Sequence, residues 1–180
     1  MTFLPRTLTL ACHPAVTVPA ARSVTVAVGR SPAGGLALAY RLRGDLSALA
    51  IPAPGASLDR NRLWSHTCFE LFVMTGEGPG YREFNFSPGG QWMRFDFAGY
   101  RQRVAAGLGP APFLTMERGA DCLALTARLP AQCLPAGDLR LALAVVVERA
   151  DGSHEYWALA HPPGQPDFHH RDGFALLLHA

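Results

Sequence analysis

Between Leu63 and Arg101 the chain reads LWSHTCFELFVMTGEGPGYREFNFSPGGQWMRFDFAGYR, and most of its candidate chemistry lies here. Glu70 is the single charged residue in the apolar run from Thr67 to Met74. Glu83 and Asn85 stand two apart, so on a strand they share a face. Trp92 and Arg94 repeat that spacing. A carboxylate, an amide and an indole on one sheet face can grip a sugar. The polar groups take hydroxyls and the ring takes a C–H face. The plainer alternative is that Glu70 is a satisfied polar group under a covering loop. On that reading Glu83, Arg94 and Asp96 form a solvated, ion-paired face.

A second cluster closes the chain, where His161, Asp167, His169 and His170 fall within ten residues. Imidazole and carboxylate bind zinc or iron, which makes these four the metal candidates. Their spacing fits no metal motif, and adjacent histidines on a strand point to opposite faces. Pro162, Pro163 and Pro166 stiffen the segment, so loop-locking hydrogen bonds or ligand contact is the simpler role. No G-x-S-x-G, P-loop, G-x-G-x-x-G or H-E-x-x-H motif occurs. His66 and Cys68 share a strand face, but a cysteine in an apolar run reads as core rather than nucleophile. Glu70, Glu83, Asp96 and Asp167 could pair as glycosidase carboxylates, a question of distance that spacing does not answer.

The elements that must position these groups are strands. Gly (18) and Pro (15) are spread along the chain and punctuate short alternating segments, the pattern of a sandwich or barrel. Strands are predicted over 4–11, 23–30, 35–43, 67–74, 81–87, 91–97, 113–118, 122–129, 139–148, 153–160 and 173–178. Residues 44–65 form a long loop with one helical turn, and 98–111 could hold another. The run at 139–148 turns wholly apolar with three consecutive valines, so it is a central strand buried on both faces. The turn 118–121 joins 113–118 to 122–129.

Ser87-Pro88-Gly89-Gly90 has the chemistry of a type II turn with Gly89 at positive φ. With Ser87 and Gly90 closing it, Glu83 faces Arg94, Tyr81 faces Asp96 and Asn85 faces Trp92. Phe84, Phe86, Met93, Phe95 and Phe97 then form the core face. The loop from Thr75 to Gly80 sets Met74 opposite Tyr81 and Glu70 opposite Asn85. Glu70, Asn85 and Trp92 become one row across three strands.

Composition bounds the rest. The 180 residues suit one domain, 1–180, and 49% apolar with 17% charged content excludes a disordered chain. All 16 basic residues are arginine, so Schiff-base lysine chemistry is excluded. Net charge is +2 without a basic cluster, against nucleic acid as partner. Cys12, Cys68, Cys122 and Cys133 form no C-x-x-C pair. The first residues, MTFLPRT, show no leader pattern, and no apolar stretch is long enough to span a membrane. The expectation is a cytoplasmic protein with reduced thiols.

Two blocks carry a family likeness. Leu63-Trp64-Ser65-His66-Thr67-Cys68-Phe69-Glu70-Leu71-Phe72 precedes Tyr81-Arg82-Glu83-Phe84-Asn85-Phe86-Ser87-Pro88, and Tyr156-Trp157-Ala158-Leu159 precedes Pro166-Asp167-Phe168-His169. From about Leu4 to Leu178 the chain resembles the stand-alone bacterial members of the DOMON-like family related to family 9 carbohydrate-binding modules. The resemblance implies an all-β, two-sheet antiparallel β-sandwich of jelly-roll or immunoglobulin-like type, with at most short helical turns. It also implies a ligand site on a concave face or sheet edge. Modules similar to this one hold sugars between tryptophans, which points to Trp64 and Trp157, with Glu70, Glu83 and Asn85 as polar partners. Related DOMON domains hold haem through methionine and histidine, for which Met74, Met93 and the tail histidines are present.

The reading is a non-catalytic module for a small carbohydrate or sugar-derived ligand, needing no cofactor. The ligand set is Trp64, Glu70, Glu83, Asn85, Trp92, Arg94 and Trp157. The rivals are a divalent-metal-dependent or carboxylate-pair hydrolase, a haem-binding redox domain, and a module for a protein partner.

Overall fold

The computed structural model describes residues 5–74 and 78–179. Leu4, expected to begin the first strand, and residues 75–77 of the loop expected after Met74 lie outside the described residues. Among the described residues twelve strands are formed: β1 (Arg6–Cys12), β2 (Ala21–Arg30), β3 (Leu36–Gly44), β4 (Cys68–Met74), β5 (Tyr81–Phe86), β6 (Trp92–Gly99), β7 (Gln102–Val104), β8 (Phe113–Arg118), β9 (Cys122–Leu129), β10 (Leu139–Glu148), β11 (His154–Ala158) and β12 (Leu176–Leu178). Among the described residues the only helical pieces are short 3-10 turns, at Leu46–Ala48, Arg60–Ser65, Ala131–Cys133 and Arg171–Gly173. Two of these fall in the long loop 44–65. The second turn envisaged at 98–111 is instead the short strand β7.

The strands build an antiparallel β-sandwich. One layer runs β1-β2-β3-β9-β8 and the other runs β7-β6-β5-β4-β10-β11-β1, with β12 on the first residues of β10. β1 belongs to both: Arg6 to Leu10 pair with β2, while Ala11 and Cys12 pair with β11. Alternation decides what fills the space between the layers. Val24, Val26 and Val28 of β2, Leu38 and Tyr40 of β3, and Leu123 and Leu125 of β9 face Phe69 and Leu71 of β4, Phe84 and Phe86 of β5, and Leu143 and Val145 of β10. The Tyr40 hydroxyl crosses the layers and donates to the Glu70 carbonyl at 2.8 Å. β10 is central, between β4 and β11, and buried on both faces.

β4 is also buried on both faces, because its outer side lies under a second apolar cluster. There Phe72, Met74, Tyr81, Ala142, Ala144, Ala158 and Phe174 pack together with Phe97 and Phe168. Three alanines in adjacent strands keep the sheet surface low, so the chain after β11 can lie across it. That segment covers one part of the outer face and leaves the rest as a trough.

The β5–β6 hairpin departs from expectation by one residue. Gly90 takes positive φ (92°), and Gly89 does not. The Gly90 N–H donates to the Ser87 carbonyl at 3.0 Å, and the Ser87 N–H donates to the Gln91 carbonyl at 2.8 Å. The loop is therefore three residues, Pro88 to Gly90, closed by a left-handed glycine in the manner of a bulged hairpin. Phe86 pairs with Trp92, Phe84 with Arg94, Glu83 with Phe95, Arg82 with Asp96 and Tyr81 with Phe97. The slip turns every side chain of β6 over. Phe95 and Phe97 face outward, whereas Trp92 and Arg94 face the inner side. The β4–β5 register is as expected, with Glu70 opposite Asn85 and Met74 opposite Tyr81. The row across three strands is thus Glu70, Asn85 and Met93.

Candidate functional site

The trough is a cavity of about 500 Å³ on the outer face of the β4–β5–β6 layer. Glu70 and Glu83 form its floor with Val146. Phe95 and Phe97 stand on one side, Tyr156 and His154 on the other. The 3-10 turn Arg60–Ser65 brings Trp64 to the rim, where it is 48% exposed. The chain after β11 supplies Pro166, Phe168 and His169, and the β6–β7 corner supplies Arg101 and Arg103.

The Trp64 turn is held from both ends. The Asp59 side chain caps it by accepting from the Asn61 N–H at 2.9 Å. His66 Nδ1 lies 2.9 Å from Glu148 Oε2, and His154 Nε2 lies 3.1 Å from the Ser65 carbonyl. An exposed indole on a turn so anchored is a fixed platform.

Burial sets the electrostatics of the floor. Glu70 is 3% exposed, and its Oε1 has no hydrogen-bond partner. Burial, and then the charge of Glu83, push Glu70 well above the usual carboxylate range. Burial raises Glu83 to about 7, against the hydrogen bond from Asn85 and the charges of Arg103 and Arg101. Asn85 is fully buried and donates to Glu83 Oε1 at 2.5 Å, while Cys68 Sγ reaches Asn85 Oδ1 at 3.5 Å. Asn85 therefore orients Glu83 from beneath and does not line the cavity. Burial, with Glu70 and Glu83 close by, keeps the Cys68 thiol protonated.

His169 is boxed edge-on by Phe72, Tyr81 and Phe97. Burial and Arg101 lower it to about 4. Its Nδ1 is 2.8 Å from the Tyr81 hydroxyl, and its Nε2 is 3.8 Å from Glu83 Oε2. The Tyr81 oxygen already accepts from the Arg101 N–H at 3.0 Å. Its own proton is thus free for Nδ1, which leaves the imidazole proton on Nε2, toward Glu83. Tyr81 and His169 also border a second cavity of about 410 Å³, with Met74, Tyr100 and His170.

The arginines at the rim are engaged. Arg101, a non-glycine residue at positive φ (55°), donates to Asp167 Oδ1 at 2.8 Å. Tyr100 donates to Asp167 Oδ2 at 2.7 Å. The Arg103 guanidinium lies 4.0 Å from the centroid of the Phe95 ring.

Of the expected ligand residues, Trp64, Glu70 and Glu83 meet in the trough, with Asn85 under it. Three do not. Trp157 is 5% exposed in the core, where its indole N–H donates to Glu155 Oε2 at 3.0 Å. It alternates with Tyr156, which takes the trough position. Trp92 packs against the core, and Arg94 grips Asp96 at 2.6 Å on the inner side. The tail residues disperse as well. His161 Nε2 lies 2.8 Å from the Ala11 carbonyl, and His170 Nδ1 accepts from the Asp172 N–H at 3.3 Å. Asp167 serves Tyr100 and Arg101. Among the described residues no group of three or more His, Cys, Asp or Glu converges to hold a metal. Sequence reasoning missed Phe95, Phe97, Tyr156, Phe168 and Arg103. An inward Trp157 would have exposed Tyr156 by alternation alone.

Fold and trough together define a β-sandwich with an aromatic-walled, acid-floored groove on one outer face. No family model and no curated protein matches the sequence. In structure the chain is similar to a candidate carbohydrate-binding protein from Bacteroides uniformis ATCC 8492, with TM-score 0.67, 16% identity, and 94% of this chain and 82% of that one covered. It is also similar to a family 9 carbohydrate-binding module from Caldicellulosiruptor kristjanssonii in complex with cellotriose, with TM-score 0.59, 9% identity, and 89% and 73% covered. The fold is thus similar to that of a family 9 carbohydrate-binding module. Among the described residues no helix is long and apolar enough to cross a membrane.

Proposed function

We propose that the chain is a carbohydrate-binding module whose groove holds a short saccharide. The observation that carries this reading is the meeting of Trp64, Phe95, Phe97, Tyr156 and Phe168 with Glu70 and Glu83 in one cavity. Aromatic faces stack on sugar C–H faces, and carboxyls direct hydroxyl groups; water offers neither arrangement ready-made. A volume near 500 Å³ suits a ligand of one to a few rings. The fold shared with a module bound to cellotriose supports the same reading. The cytoplasmic setting and the relation to DOMON-like domains belong to this proposal too.

The test is calorimetry of the purified chain against a panel of neutral and charged oligosaccharides, repeated on Trp64→Ala. Saturable binding that Trp64→Ala abolishes, with the fold intact by circular dichroism, supports the proposal. A flat response across the panel overturns it.

A further inference from the structure

The floor of the groove carries two buried carboxyls, one of them with an unpartnered oxygen. Glu70 and Glu83 lie diagonally on adjacent strands, since Glu70 pairs with Asn85 and Glu83 is two residues away on the same face. Glu83 has one hydrogen bond, from Asn85. Glu70 Oε1 has none, although the residue is 97% buried and lines the cavity. A buried carboxyl without a partner is costly, and native interiors rarely leave one so.

Arg101 and Arg103 act on Glu83 through space, but no neighbouring cation hydrogen-bonds Glu70 Oε1. Arg101 is committed to Asp167 and Arg103 lies over Phe95. His169 is held neutral with Nε2 at 3.8 Å from Glu83, and His154 is turned to the Ser65 carbonyl. The other groups around the floor are Phe72 on β4, Ala144 and Val146 on β10, and Asn85 beneath. None of them donates a hydrogen bond to Glu70 Oε1.

Burial and Glu83 hold the Glu70 carboxyl above the usual carboxylate range, and a cationic donor brought by the ligand reverses that shift and supplies the missing partner. A hydroxyl supplies one proton and no charge, whereas an ammonium supplies three donors and a full positive charge. The aromatic walls favour a cation as well as a sugar face, through their ring quadrupoles. The last torsion of a glutamate is broad, so either oxygen of Glu70 can turn to the cavity. We propose that the groove selects an amino sugar, a hexosamine-type ring whose ammonium seats on Glu70 and Glu83 while its C–H faces lie on the aromatic walls. This rests on the carbohydrate-binding reading above.

The experiment is isothermal titration calorimetry on the full chain near neutral pH with three oligosaccharides of equal length. These are a fully deacetylated glucosamine oligomer, its N-acetylated counterpart, and a cello-oligosaccharide. The expected result is a preference of at least roughly tenfold for the deacetylated oligomer. In Glu70→Gln and in Glu83→Gln, each checked for folding by thermal melting, that ratio falls toward about unity as the charge pairing is lost. Equal or tighter binding of the neutral oligomers overturns the amino-sugar proposal and leaves the carbohydrate reading standing. A preference that survives in both variants overturns the seating on these carboxyls. No binding of any of the three overturns both.

Discussion

The Tyr81 hydroxyl stands 2.8 Å from Nδ1 of His169, and this bond fixes which edge of the imidazole the groove meets. It ties β5 to the segment that crosses the sheet after β11. Tyr81→Phe removes the bond and leaves Nδ1 and the Arg101 N–H without their partner. The expected cost is about 1–3 kcal/mol of stability by urea unfolding, with weakened saccharide binding because His169 loses its orientation. An unchanged midpoint would mean that water replaces the hydroxyl.

Trp64 and Trp157 separate the groove from the core. Trp64→Ala should abolish binding while lowering stability by no more than about 1 kcal/mol, since the indole is half exposed. Trp157→Ala should cost about 3–5 kcal/mol by opening a core cavity. The gentler Trp157→Phe should retain the affinity of the wild type. Parallel denaturation and calorimetry check the pair, and reversed effects would put the ligand elsewhere.

Glu83 makes stability depend on pH. Its ordinary value of 4.5 rises to about 7 on folding, so the unfolded chain releases this proton first. Stability from this group is intact below pH 4.5, declines as pH rises toward about 7, and levels off above. Glu70, Asn85, His169, Arg101 and Arg103 all face it. His169, lowered from 6.5 to about 4, acts oppositely and costs stability as pH falls through that window. The comparison is therefore made with Glu83→Gln. The variant should gain on wild type by on the order of 1–3 kcal/mol between pH 5 and pH 8 in urea melts. A gap that does not change with pH would show that Glu83 titrates normally.

Gly90 tests the hairpin. Nothing lies within 4 Å of the side chain that alanine would add there, so the cost of Gly90→Ala comes from its φ of 92° alone. About 1–2 kcal/mol is expected, and less for Gly90→Asn, because asparagine tolerates the left-handed region better. Equal costs for both would argue against the three-residue loop.

That hairpin also shows what was legible in the sequence. Eleven of the strands, the central β10 and the Glu70–Asn85 pairing follow from alternation and turn residues, and the two-sheet sandwich follows from the family resemblance; the short β7 was not foreseen. The face of β6 did not, because either glycine after Pro88 can take positive φ. Both registers also offer an ion pair: Glu83 with Arg94 in one, Arg82 with Asp96 in the other. Apolar alternation favours putting Phe95 and Phe97 inside with Phe84. The rule misleads here because the outer face is itself an aromatic groove. Trp157 was misplaced by the same reasoning, since an indole fits a core and a binding wall equally well. The floor carboxyls were found because a lone charge in an apolar strand demands an explanation.

β1 has a consequence for cooperativity. Because its first residues belong to one layer and its last to the other, neither layer can peel away alone. The amides of Leu10 to Cys12 should exchange with deuterium only through global unfolding. A ligand seated on the outer face of one layer then stabilises the whole domain, and the melting temperature becomes a direct gauge of groove occupancy.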